Sequence, residues 1–173
     1  MNPKNGDVLA MVSAPDYSLS QFIGPLKKEE WEKWKKEKRL VNRATQGKYP
    51  PGSLYKLVSS IMFMDQQLIS LEESVFCNGK FELEDQSNPG KPKVFRCWKE
   101  DGHGEMDLHS AIVQSCNVYF YDVILRYQEK NKYIIDDLHK YAEMLGLNQK
   151  TGIEIPEKKG RIPNSDWMVI NQG

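Results

Sequence analysis

The sequence predicts an α+β chain, mainly helical, with a sheet of which only part is present. Three observations carry that expectation. Apolar residues recur at helical spacing in three separate stretches, beginning near Ser53, Asp107 and Ile134. One nearly continuous apolar run, Asp7-Val8-Leu9-Ala10-Met11-Val12-Ser13, has the pattern of a strand covered on both faces. No convincing partner strand follows it, so the sheet is expected to be incomplete and the run to be open to edge-to-edge pairing with a second copy of the chain.

Residues 1–52 form the lead-in. Met1 runs at once into Asn2-Pro3-Lys4-Asn5-Gly6, which looks like a turn in mid-fold, so the chain reads as a piece of a longer one. The apolar run over residues 7–13 is the expected interior strand. From Leu26 to Arg39 the chain is crowded with charges of both signs, with Trp31 and Trp34 spaced to pin one edge of a short helix. Basic residues interleaved with aromatics can bind single-stranded nucleic acid, but the mixed signs favour a solvated helix.

Residues 53–76 are the expected helix of a nucleophile. Leu54, Leu57, Val58, Ile61 and Met62 follow the spacing of a core-facing helix, and Pro50-Pro51-Gly52 cannot continue it backwards. Positions i and i+3 share a helical face, so the Ser53 hydroxyl and the Lys56 amine are expected to meet. A serine hydroxyl becomes an effective nucleophile when a neighbouring base takes its proton. Apolar neighbours such as Leu57 disfavour the charged form of Lys56 and suit it to that task. The helix N-terminus adds partial positive charge beside an oxyanion formed there. An S-x-x-K spacing alone also fits an N-cap serine followed by an exposed lysine.

Residues 77–106 are rich in Gly, Pro, Asn and Asp, with Asn88-Pro89-Gly90 and Asp101-Gly102-His103-Gly104, and show no helical period. Loops of that length in compact domains are functional or held by something. Residues 107–173 return to helix. Asp107 is placed as an N-cap, Val118 to Leu125 is apolar nearly all round, and Ile134 to Leu145 is amphipathic with Gly146 as its C-cap. Between the first two lies Ser115-Cys116-Asn117, and a short extended piece is expected over Gly152–Pro156.

Composition excludes several classes. Twenty-four basic and 24 acidic residues give no net field toward nucleic acid or an anionic surface. No apolar run approaches the ~20 residues that span a bilayer, and no signal peptide opens the chain.

Ser53-Leu54-Tyr55-Lys56 followed by Ser115-Cys116-Asn117 resembles the S-x-x-K and S-x-N pair of penicillin-binding transpeptidases and serine β-lactamases. Residues 6–15, Asn42-Arg43-Ala44, Tyr49-Pro50-Pro51-Gly52, Gly102-His103-Gly104 and Thr151-Gly152-Ile153 narrow the resemblance to class B penicillin-binding proteins, in the cell-elongation branch called penicillin-binding protein 2. The resemblance runs through the whole chain. It implies the front part of a transpeptidase domain with an antiparallel sheet, acting as a D,D-transpeptidase that cross-links peptidoglycan stem peptides and is acylated by β-lactams. It implies Ser53 as nucleophile, Lys56 as base, Ser115 as proton shuttle and Asn117 as the group orienting substrate and Lys56. It also implies work on the outer face of the inner membrane, an N-terminal anchor absent from this chain, and partners in the elongation machinery. A non-catalytic module that binds a metal or a partner through the long loop is the alternative.

Family members carry a Lys-Thr/Ser-Gly triplet on a strand beside the nucleophile. Lys150-Thr151-Gly152 spells it, but it follows a helix C-cap too soon after Asn117, so Lys150 is expected to be a surface lysine. Without the true triplet, the chain alone is expected to acylate slowly or not at all. Finally, Cys77, Cys97, His103 and Cys116 supply three thiolates and one imidazole, the donor set of a structural zinc site. The resemblance adds that some elongation-type relatives hold a metal in this loop, with Cys97, His103 and Cys116 at matching positions. A Cys77–Cys97 disulfide is the competing reading.

Overall fold

This computed structural model describes residues 1–70, 72–85, 87–130 and 134–172. The chain divides into two compact units, Met1–Pro50 with Asn148–Arg161, and Pro51–Leu147 with Ile162–Gly173.

The first unit is organised by Trp34. Helix α1 (Lys28–Glu37) buries this indole to 2% exposure, while Trp31 stays on the solvent side. The rings of Tyr17 and Phe22 close over it at centroid distances of 5.4 and 5.5 Å. Arg43, at the start of the short helix α2 (Arg43–Gln46), donates to the Glu37 and Lys38 carbonyls at 2.7 and 3.3 Å and so satisfies the C-terminus of α1. Thr45 joins the two chain segments, accepting from the Lys158 amide at 2.8 Å and donating to the Pro156 carbonyl at 3.0 Å.

Two expectations fail in this unit. Residues 7–13 form no strand, and Val8, Leu9, Met11 and Val12 are exposed. The apolar pattern marks a segment suited to burial, but a strand also needs a neighbour to exchange hydrogen bonds with, and none of the described residues supplies one. Residues 152–156 are likewise irregular. There the Glu157 carboxylate takes the Thr151 and Gly152 amides at 3.0 and 2.9 Å, which bends the backbone into a turn instead of leaving it extended.

The second unit holds the larger core and the candidate site. Helix α3 (Tyr55–Asp65) follows a 3-10 turn over Gly52–Leu54. Its buried residues are Val58, Ser59, Ser60, Met62 and Phe63, whereas Leu57 and, in the turn before it, Leu54 are 50% and 72% exposed and Ile61 and Met64 also face outward. The helix is apolar nearly all round, so periodicity alone could not say which stripe meets the core. It ends at Asp65, earlier than expected, because Gln67 takes a left-handed backbone (φ 52°) and the Leu68 amide turns back to the Phe63 carbonyl.

The turn-rich stretch contains four short strands: β1 (Val75–Cys77), β2 (Lys80–Leu83), β3 (Lys93–Arg96) and β4 (Gly104–Met106). They form two antiparallel ribbons, β1 with β4 and β2 with β3, with Cys77 opposite Gly104 and Lys80 opposite Arg96. Helices α4 (Leu108–Val113), α5 (Asn117–Lys130) and α6 (Ile134–Met144) follow, and α7 (Ser165–Gln172) closes the unit. Asp107 caps α4 by accepting the Ser110 amide at 2.7 Å, an interaction worth about 1 kcal/mol. Val118, Tyr119, Phe120 and Val123 of α5 pack against Met62 and Phe63 to form the centre of the core. Tyr55 Oη donates to the Leu138 carbonyl at 3.3 Å, and Tyr141 Oη bonds to Asp65 and Gln66. Both ends of α3 are thereby tied to α6, which fixes the turn that carries Ser53.

Candidate active site and thiolate cluster

Ser53 sits in the 3-10 turn ahead of α3, and Gly52 before it has φ +56°, a conformation side chains with a Cβ avoid. Lys56 lies in the first turn of α3. Ser115 occupies the three-residue link between α4 and α5 with φ +52°, a strained value for a residue other than glycine. That reversal turns both its hydroxyl and its carbonyl toward Lys56. Asn117 opens α5.

The four side chains form one network. Lys56 Nζ donates to the Ser115 carbonyl at 2.7 Å, to Ser115 Oγ at 3.0 Å and to Asn117 Oδ1 at 2.7 Å. Ser115 Oγ donates to Ser53 Oγ at 2.8 Å. The sequence expectation that Ser53 and Lys56 meet directly is therefore modified: the hydrogen-bonded route between them runs through Ser115. The reason is that Ser53 lies on the tighter 3-10 turn, whose side-chain directions differ from those of an α-helix. As an ammonium, Lys56 uses all three of its donors. Burial lowers its pKa from the ordinary lysine value, while charge on the neighbouring Cys97 and Cys116 sulfurs, when they are ionised, opposes that shift. The face of Phe120 lies 5.5 Å from Nζ.

A second cluster adjoins the first. The potential ligand atoms of Cys77, Cys97, His103 and Cys116 all lie within 4.8 Å of one another. Cys77 Sγ and Cys97 Sγ are each 3.5 Å from His103 Nδ1. Around one zinc ion, bonds of about 2.3 Å to sulfur and about 2.0–2.1 Å to nitrogen set tetrahedral S···N edges of roughly 3.5 Å, so these separations fit. The donor chemistry fits as well. Burial lowers the His103 pKa, and Lys99 and Lys56 lower it further, which favours the neutral imidazole a metal requires. Burial pushes the Cys97 thiol up, but the amides of Asn117, Lys99 and Val118 and the Cys77 thiol more than reverse it. Burial pushes Cys116 up to about 12, so this thiol loses its proton to solvent only when a strong local positive charge, such as a bound metal cation, stabilises the thiolate. All three cysteines are unbridged.

Backbone pairing assembles the cluster. The Cys97 amide donates to the Gly79 carbonyl at 2.8 Å, and the His103 amide to the Cys77 carbonyl at 3.0 Å. Gly102 (φ +80°) makes the second contact feasible, because a Cβ there would fall 2.2 Å from the Cys77 carbonyl oxygen. The two clusters share the 115–117 backbone: the Asn117 amide donates to Cys97 Sγ at 3.3 Å, and Asn117 Nδ2 to the Arg96 carbonyl at 3.4 Å.

Residues 1–173 match the family profile described as the penicillin binding protein transpeptidase domain. The chain belongs to the penicillin-binding protein transpeptidase family. It is 32% identical over 172 residues to the peptidoglycan D,D-transpeptidase MrdA of Acinetobacter baumannii, covering 98% of this chain and 24% of that protein. Among solved structures it is similar to PBP2 of Pseudomonas aeruginosa in complex with WCK 5153 (TM-score 0.77, 30% identity, 98% of this chain and 37% of that one). It is also similar to PBP2 of Helicobacter pylori in its complex with MreC (TM-score 0.76, 29% identity, 93% and 28%). The chain thus spans about a quarter of the length of the curated relatives it matches.

In this chain the second unit brings together Ser53, Lys56, Ser115 and Asn117, and beside them Cys77, Cys97, His103 and Cys116. Lys150-Thr151-Gly152 is exposed and lies on irregular backbone, with its Thr151 hydroxyl and amide bound by Glu157, not on a strand. Sequence reasoning missed Trp98, whose indole N–H donates to the Gln114 carbonyl at 2.9 Å and whose ring lies 5.2 Å from that of His103. Its place directly after Cys97 was the available signal. It also missed Phe120 under Lys56, where one turn of helix after Asn117 was the signal.

Proposed function

We propose that this chain supplies the nucleophile half of a peptidoglycan D,D-transpeptidase of cell elongation, working through an acyl-serine intermediate. The observation that carries this reading is the unbroken route from Ser53 Oγ through Ser115 Oγ to Lys56 Nζ. When Lys56 loses one proton, the Ser115–Lys56 bond reverses: Ser115 donates to Nζ and accepts from Ser53. The Ser53 oxygen attacks the carbonyl of a stem peptide or of a β-lactam as its proton passes along this route. The same route returns a proton to the leaving amine. The Ser53 amide, at the positive end of the α3 turn, provides one donor to the oxyanion. Asn117 Oδ1 holds Lys56 in line, and Asn117 Nδ2 braces against the Arg96 carbonyl.

The relatives' length favours a longer protein in which later residues bring a strand-borne Lys-Thr/Ser-Gly triplet and the second oxyanion donor. An N-terminal anchor on the extracytoplasmic face of the inner membrane is part of the same proposal; among the described residues no helix is long and apolar enough to cross a membrane. We also assign contact with elongation machinery, on the analogy of the Helicobacter pylori PBP2 complex with MreC. The metal assigned to Cys77, Cys97, His103 and Cys116 is structural Zn2+; bound there, it would cross-link β1, the end of β3, the entry to β4 and the start of α5.

Fluorescent penicillin tests the reading. The protein extended to the length of its relatives is expected to label, and the 173-residue chain to label at least about a hundredfold more slowly for want of an oxyanion donor. Equal rates would place the full machinery within these residues, and no labelling of the extended protein would favour a non-catalytic module. In the isolated chain, the exposed apolar segment 8–12, which forms no strand here but has a strand's composition, is the surface we assign to self-association by pairing with a second copy. Light scattering that reports a monomer at every concentration would remove that assignment.

A further inference from the structure

We infer that the thiolate cluster is a redox gate on the catalytic motif: once the metal is lost, Cys97 and Cys77 close into a disulfide, and the oxidised chain no longer takes the metal back. The inference rests on the zinc assignment above and adds what becomes of the same sulfurs without it.

Three of the four ligand positions are thiols, all within 4.8 Å, and all unbridged. This donor set is also a store of oxidisable sulfur, which histidine or carboxylate ligands would not be. Cys77 and Cys97 flank the same ring nitrogen at 3.5 Å each, and their strands are locked together by the Cys97–Gly79 and His103–Cys77 backbone bonds. Their sulfurs can therefore approach by side-chain rotation toward the about 2.05 Å of an S–S bond without unthreading the ribbons. Cys97 is the least buried of the three, at 5% exposure against 1% and 0% for Cys77 and Cys116, so it is the sulfur an external disulfide reaches first. A sulfur held by a metal is withheld from exchange, so oxidation follows metal loss.

The step balances without a cofactor. The Cys97 thiolate attacks one sulfur of an external disulfide such as oxidised glutathione and releases a thiolate. The Cys77 thiolate then attacks Cys97 Sγ of the mixed disulfide and releases the second thiolate. The protein loses two electrons and two protons, and the donor becomes two thiols.

The gate acts on the site through two connections. Cys97 Sγ accepts the Asn117 amide at 3.3 Å, and a disulfide sulfur is a poorer acceptor than a thiolate. Cys116, between Ser115 and Asn117, loses its tie to β1 and β3. Asn117 Oδ1 and the Ser115 carbonyl and hydroxyl are the three acceptors of Lys56, so their loosening reaches the base directly.

The test uses the zinc-loaded chain, with and without prior chelation, held in oxidised glutathione. Thiols are titrated after denaturation, disulfides are mapped by peptide mass, and zinc uptake is measured afterward. The loaded chain is expected to keep its three thiols. The chelated chain is expected to keep one, to yield a Cys77–Cys97 linked peptide lighter by two hydrogens, and to regain zinc only after a reductant is added. A chain that binds zinc yet keeps three thiols after chelation and oxidation overturns the gate alone. So does one that reloads zinc without reduction, or that links Cys116 instead. A chain that never binds zinc overturns the metal assignment beneath it.

Discussion

Replacing Lys56 with methionine is expected to lower the rate of penicillin acylation of the full-length protein by about a thousandfold, the middle of the range for loss of a general base. Methionine keeps much of the apolar stem and removes the amine that bonds to Ser115 and Asn117. The wild-type pH profile provides the control. Lys56 works as a base only when neutral, and burial sets its pKa below the ordinary lysine value. The rate therefore climbs with rising pH through a limb that lies lower than that of a free lysine, near 10.4. In the Lys56→Met protein that limb disappears, because no group titrates on the route from Ser53. A variant that keeps its rate within tenfold and retains the limb would show that another group takes the proton.

Stripping the metal is expected to lower the thermal midpoint by about 6–16 °C. Structural zinc in small fingers contributes about 10–16 kcal/mol, but there the metal organises the whole fold. Here Cys77, Cys97 and Cys116 join a larger apolar core built by α3, α5 and α6 that does not depend on the metal for most of its packing, so a smaller share of about 3–4 kcal/mol is expected. A domain of this size moves by roughly 2–4 °C per kcal/mol. Calorimetry with and without chelator reads the shift, and a midpoint unchanged within a degree or two would remove the metal from the account. The effect carries a pH sign. Cys116, raised to about 12 without a metal, must be deprotonated on loading, so binding releases protons and weakens as the solution is acidified.

The helices around the site were legible because each carries a local signal: Asp107 before α4, Gly146 after α6, the double proline before Ser53. The pairing of Ser53-x-x-Lys56 with Ser115-x-Asn117 was legible as a motif, and the fold converts it into contact by bending the chain at Ser115. That bend had no signal, since positive φ at a serine is imposed by its surroundings. The sequence of the turn-rich stretch shows no helical period but does not announce the ribbons β1–β4 and β2–β3, because each strand has only three or four residues, although Lys80-Phe81-Glu82-Leu83 alternates as a half-buried strand does. Residues 7–13 misled in the opposite direction. Their composition records burial in a sheet, and the described residues do not provide that sheet. On α3 two apolar stripes compete, and only packing shows that Val58 and Met62 are covered while Leu54 and Leu57 are not.

The central claim is that Ser53 forms the acyl-enzyme. Its most direct measurement is peptide mass mapping of the penicillin adduct on the full-length protein, beside a Ser53→Ala variant. The account predicts one adduct, equal to the mass of the opened β-lactam, on the peptide that contains Ser53, and none on the variant. An adduct on Ser115 or elsewhere, or equal labelling of Ser53→Ala, would contradict it.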